Sequence, residues 1–124
     1  MIGVTAATGV PGVSGVPGAT IPRPARTPDA LWMALSRVAP HRLREMERAR
    51  DTAFSLAAER DSLEPIHRWL VVWTREVEIE RRPRLAVRRQ RALDVLHRSH
   101  GTTAPAFRAA LAELRAVEDE AIRE

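Results

Sequence analysis

The residues of this chain with the clearest chemical potential are the arginines of one short stretch: Arg81, Arg82, Arg84, Arg88, Arg91 and Arg98. Residues 81–100 hold seven Arg against one Asp, whereas residues 27–80 hold eight Arg against ten acids and residues 101–124 three against five. Guanidinium groups on one helix face can neutralise phosphates or dock an acidic protein surface. They can equally be held by the chain's own acidic C-terminal segment, or stand in solvent, and composition leaves these readings open. No aromatic residue is interleaved for base stacking, and no glycine turn of the helix-turn-helix kind precedes the stretch. All 20 basic residues are Arg, and Lys, Asn, Tyr and Cys are absent. Codons for Lys, Asn and Tyr are rich in A and T, so a GC-rich coding sequence explains the arginine usage without selection for bidentate phosphate recognition.

Other candidate chemistry is sparse. His97 and His100 have a spacing that could present two imidazoles to a metal, but Asp94 is the only nearby carboxylate, and exposure at a helix end is expected instead. Glu64 and His67 form a single Glu-x-x-His, where a di-iron bundle needs two such pairs and two more carboxylates. Glu76, Glu78 and Glu80 look like an acidic cluster; Glu78 with Arg82 and Glu80 with Arg84 have i, i+4 spacing, so solvated ion pairs are expected. Ser14, Ser36, Ser55, Ser62 and Ser99 lie in no nucleophile-elbow context, and no glycine loop follows a strand to cradle phosphate. The absence of Cys excludes disulfides and thiolate metal sites. No catalytic, cofactor-binding or metal-binding residue is therefore expected, nor an enzyme.

Any such residues must be positioned by a single domain, given 124 residues. Five of six glycines lie between Gly3 and Gly18 and no charge precedes Arg23, so residues 1–26 read as a disordered Gly/Pro-rich tail and 27–124 as the domain. That tail is too interrupted for a signal peptide, and no apolar window is long enough for a membrane span, which points to the cytoplasm. Thr27-Pro28-Asp29 can cap a first helix, Pro40 opens a second running to about Glu59, and Asp61-Ser62 caps a third. Leu63, Ile66, Trp69, Leu70, Trp73 and Val77 give that third helix the clearest helical period, with Val71, Val72 and Ile79 off the stripe. Pro83 breaks the chain before a fourth helix over about Arg84–His100, which Gly101 would cap, and Thr103 and Pro105 start a fifth. On the fourth helix Leu85, Ala86, Ala92, Leu93 and Leu96 share one arc. No segment alternates with period two. The expected fold is all-α, a small bundle of four to five helices, with a core of Trp32, Phe54, Ile66, Trp69, Trp73, Leu93, Phe107 and Leu111.

The pattern Leu63-Glu64-Pro65-Ile66-His67, then Trp69, Trp73, Thr74-Arg75, Pro83, Ala92-Leu93 and Gly101, resembles a family of short actinobacterial helical proteins classed as a domain of unknown function. The resemblance covers about residues 28–115. That family commonly has Asp-Pro before its basic helix, where this chain has Arg82-Pro83. The family has no established catalytic residues, and some members are regarded as antitoxin-like. What the resemblance implies is a small interaction protein, an antitoxin-like regulatory partner of another protein. The alternative expectation is a nucleic-acid-binding protein that uses the arginines of 81–98 on phosphates. No cofactor and no membrane partner are expected, and the oligomeric state stays open.

Overall fold

The computed structural model describes residues 20–98 and 103–123, which form five α-helices, with no strand among the described residues. The first helix, α1 (Pro28–Val38), begins where the Thr27 hydroxyl accepts the Ala30 N–H at 3.2 Å, with proline in the first turn. A 3₁₀ turn at Pro40–Arg42 leads into α2 (Leu43–Arg60). Asp61 ends α2 in the left-handed conformation (φ 51°), an unusual place for a residue with a Cβ, and the next N–H, from Ser62, donates to the Ala57 carbonyl at 3.0 Å. The Ser62 hydroxyl accepts the Glu64 N–H, and α3 (Glu64–Glu80) follows. Arg82 is extended, as the residue before proline must be, and α4 (Pro83–His97) starts on Pro83. Finally Thr103 caps α5 (Ala104–Ile122) by accepting the Ala106 N–H.

Two apolar clusters divide the interior. The larger joins α1, α2 and α3 through Leu31, Leu35, Met46, Ala53, Trp69, Trp73 and Val77. Trp69 satisfies its indole N–H on the Met46 carbonyl at 3.2 Å, which lets the ring be buried without an orphaned donor. The smaller joins the end of α3 to α4 and α5 through Ile79, Leu85, Val117 and Ala121.

Several core expectations need correction. Phe54 is 48% exposed, Phe107 41% and Leu111 36%. Phe54 lies two turns beyond Glu47, which accepts the Trp32 indole N–H at 2.9 Å; the short α1 covers α2 there and leaves Phe54 bare. Trp32 is itself only half-buried because its polar edge reaches that surface carboxylate, and Ile66 and Leu93 are half-buried too. Trp69 and Trp73 are buried. The expected boundary at residue 27 also moves. Thr20 donates its N–H to the Arg81 carbonyl, Ile21 packs on the larger cluster, and Arg23 pairs with Glu78, so residues 20–26 lie along α3. Residues 1–19 of the Gly/Pro-rich tail and Gly101 lie outside the described residues, and α4 ends at His97, before the expected His100.

Candidate functional site

The acidic cluster of α3 and the arginines of α4 meet one another, and the meeting place is mostly inside the protein. Successive α3 glutamates point to different flanks of the helix. On one flank, Glu76 and Glu80 both accept from Arg42 Nη1, at 2.9 and 3.0 Å, and both are bound by Arg89 of α4. Arg42 also forks onto Glu45 at 3.0 and 3.1 Å, and its guanidinium lies 5.0 Å from the centroid of the Trp73 ring. On the other flank, Glu78 accepts from Arg82 Nη2 at 2.7 Å, Arg81 Nε at 3.1 Å and Arg23 Nε at 3.1 Å. Arg81 Nη1 also donates to the Ile21 carbonyl at 3.0 Å.

A third set ties the last two helices together. Arg88 forks onto Glu113 at 2.8 and 3.1 Å and reaches Glu120 at 2.8 Å, and Arg84 joins it on Glu120. These arginines offset the unfavourable placement of carboxylates near the C-terminus of α5. Hydrogen bonds from Arg88 hold the Glu113 carboxyl below its ordinary range, and those from Arg84 and Arg88 do the same for Glu120. At Glu76 burial works to raise the carboxyl, but the charges and hydrogen bonds of Arg89 and Arg42 outweigh it and the net direction is down. Burial likewise opposes the charge on Arg42, yet its three glutamate partners carry it upward.

The expected contact surface is therefore corrected in part. Arg81 is fully buried and Arg82 is 9% exposed, because they close the α3–α4 corner over Glu78, so neither presents a guanidinium to an external surface. Arg84 is exposed but bound to Glu120, Arg88 is half-buried between two glutamates, and Arg91 and Arg98 lie on the exposed side of α4. The expected Glu78–Arg82 pair exists but is buried, with Glu78 only 4% exposed, and in place of a Glu80–Arg84 pair Glu80 takes Arg42 and Arg89. Sequence reasoning passed over Arg42 and Arg89. A signal for Arg89 was present: at 100° per residue it falls between Leu85 and Leu93, on the apolar arc.

Glu64 pairs with Arg68 on an exposed turn at 3.0 Å, His67 is exposed, and His100 lies outside the described residues. Among the described residues no group of three or more His, Cys, Asp or Glu is placed to hold a metal ion, and no helix is long and apolar enough to cross a membrane. Apolar surface is the other feature that stands out. By helical spacing Phe107, Leu111 and Leu114 form a stripe on α5, on the flank away from Glu113 and Glu120. Arg89, Leu93 and Leu96 form the matching stripe on α4, and α3 meets that stripe at Arg89. A groove of about 300 Å³ between α2 and α3, floored by Leu56, Trp69, Val72 and Trp73, adds to this surface. Comparison with protein-family models, with curated proteins and with solved structures found no match.

Proposed function

We propose that the chain is a small helical interaction protein of the cytoplasm that docks a protein partner through apolar surface, its arginines serving mainly as internal ties. The observation that carries this is the unpaired stripe on the α4–α5 hairpin, where Phe107 and Leu111 are 41% and 36% exposed while the arginines on the other flank are bound to glutamate. Large side chains on one flank of a helical pair, left uncovered by the rest of the bundle, suit the apolar face of a partner helix. The antitoxin-like expectation is the form of this function in which that partner is a small toxin. Phosphate binding by residues 81–98 draws less support, since Arg81, Arg82, Arg84, Arg88 and Arg89 would each have to leave a carboxylate.

The test is affinity capture by the full chain and by the Phe107→Glu/Leu111→Glu double variant, with and without nuclease, read by mass spectrometry and repeated with the purified partner. A partner kept after nuclease and lost with the double variant is the expected result. Retention by the double variant, or loss on nuclease treatment, would contradict it.

A further inference from the structure

On the flank of α3 that carries Glu78, a cavity of about 330 Å³ opens between residues 23–26 and the end of α5. That volume is at the small end of ligand pockets, about 300–1,000 Å³. Its polar wall is formed by Arg26, Arg75, Thr74 and the Arg23–Glu78 pair, and its apolar wall by Val71 and Ile122, which are 53% and 65% exposed. Two further facts distinguish this place from an ordinary crevice. The Thr74 hydroxyl oxygen is fully buried and has no hydrogen-bond partner among the described residues, although a helical threonine ordinarily has the carbonyl one turn earlier within reach. Arg82 Nε is in the same condition, and its guanidinium shares the carboxylate of Glu78, which lines the cavity, with Arg81, whose Nη2 lies 3.0 Å from it. In the other two networks the arginines have carboxylates in proportion: Arg42 and Arg89 face Glu45, Glu76 and Glu80, and Arg84 and Arg88 face Glu113 and Glu120. Among the described residues Arg75 meets one carboxylate, Glu76, with Nε and Nη2 each 3.4 Å from Oε2.

We propose that this cavity binds a small organic acid. Its carboxylate accepts from the Arg26 and Arg75 guanidiniums and from the Thr74 hydroxyl, which a χ1 rotation turns from its buried place into the cavity, and its apolar body lies against Val71 and Ile122. Guanidinium supplies the fork that matches a carboxylate, and the apolar wall is what an inorganic anion would leave unused.

The test is calorimetric titration of the full chain with benzoate, with its neutral analogue benzamide, and with inorganic phosphate, supported by thermal melts of each variant. Benzoate is expected to bind and benzamide not, with phosphate weaker than benzoate. Thr74→Val and Arg26→Gln should each weaken benzoate binding at least about tenfold, the scale of one lost charge-assisted hydrogen bond. Thr74→Val should melt no lower than the parent, because it removes a hydroxyl that has no partner among the described residues, so a loss of binding there is not a loss of folding. Absence of benzoate binding, equal binding of benzamide, phosphate binding as tight as benzoate, or unchanged benzoate binding in both variants would each overturn the assignment.

Discussion

In the α1–α3 half of the molecule Leu31, Leu35, Met46, Trp69 and Trp73 converge, and volume fills the interior. In the α4–α5 hairpin the buried residues are Leu85, Ala92, Ala110, Val117 and Ala121, three of them alanines. A hairpin with so little side-chain volume between its helices gains little from burial. It is held by charge on one flank, through Arg84 and Arg88, and anchored to α3 by Arg89 on the other. A run of arginine reports on an external partner only once the chain's own carboxylates have been placed. Here they sit on α3 and α5, and they reach the arginines first.

The sharpest way to break the contrast is to damage each half by the means that holds it. Trp69→Ala should cost about 3–5 kcal/mol, measured by denaturant unfolding, as expected for removing a large buried ring. Glu76→Ala should cost a similar amount, about 3–5 kcal/mol, by leaving Arg42 and Arg89 with one fewer carboxylate in a poorly solvated place. If Glu76→Ala were neutral, the pairing would be a solvated surface feature and the two halves would not differ in kind.

Acid comes next in size. Glu76, Glu113 and Glu120 are held below the ordinary carboxylate range in the folded state, so the unfolded chain binds protons first as pH falls. Their contribution is complete above the unfolded value of about 4.3 and is lost as pH drops through the lower folded values. Circular dichroism melts should therefore hold steady from pH 7 to about 5 and decline below about 4. Hydrogen exchange should show α4 and α5 opening before α3. Simultaneous loss of protection in α3 would contradict the division.

Smaller effects sharpen it further. The Arg84→Gln/Arg88→Gln double variant should cost only about 1–2 kcal/mol, diminishing at high salt, because those pairs are partly solvated. Phe54→Ala should shift the melting point least, costing under about 1 kcal/mol, since the ring is half in water.

How much of this was legible in the sequence follows from what local pattern can and cannot carry. Proline, threonine and serine placed the helix starts, because caps are satisfied within a few residues: Thr27 and Thr103 accept from the N–H three positions on. The period of α3 placed Trp69 and Trp73 in the core. Phe54, Phe107 and Leu111 were misplaced for one reason. Each lies on a regular apolar face, but whether that face is covered depends on the length and angle of another helix, which periodicity does not encode. The ion-pair network was half legible. The i, i+4 pair Glu78–Arg82 could be read from spacing, whereas Arg42–Glu76 and Arg88–Glu113 join residues 34 and 25 apart. Arg89 and Glu76 lie on apolar arcs of their helices. A charged residue in such a place is a sign of buried pairing, provided its partner is sought on another element.

The most direct test of the internal-tie account is a double-mutant cycle on Arg89 and Glu76, using Arg89→Gln, Glu76→Gln and both together, followed by denaturant unfolding. A coupling energy of about 1.5 kcal/mol or more is the expected result, with the double variant less damaged than the sum of the singles. A coupling below about 0.3 kcal/mol, with Arg89→Gln itself neutral, would show that the arginine helix faces outward after all.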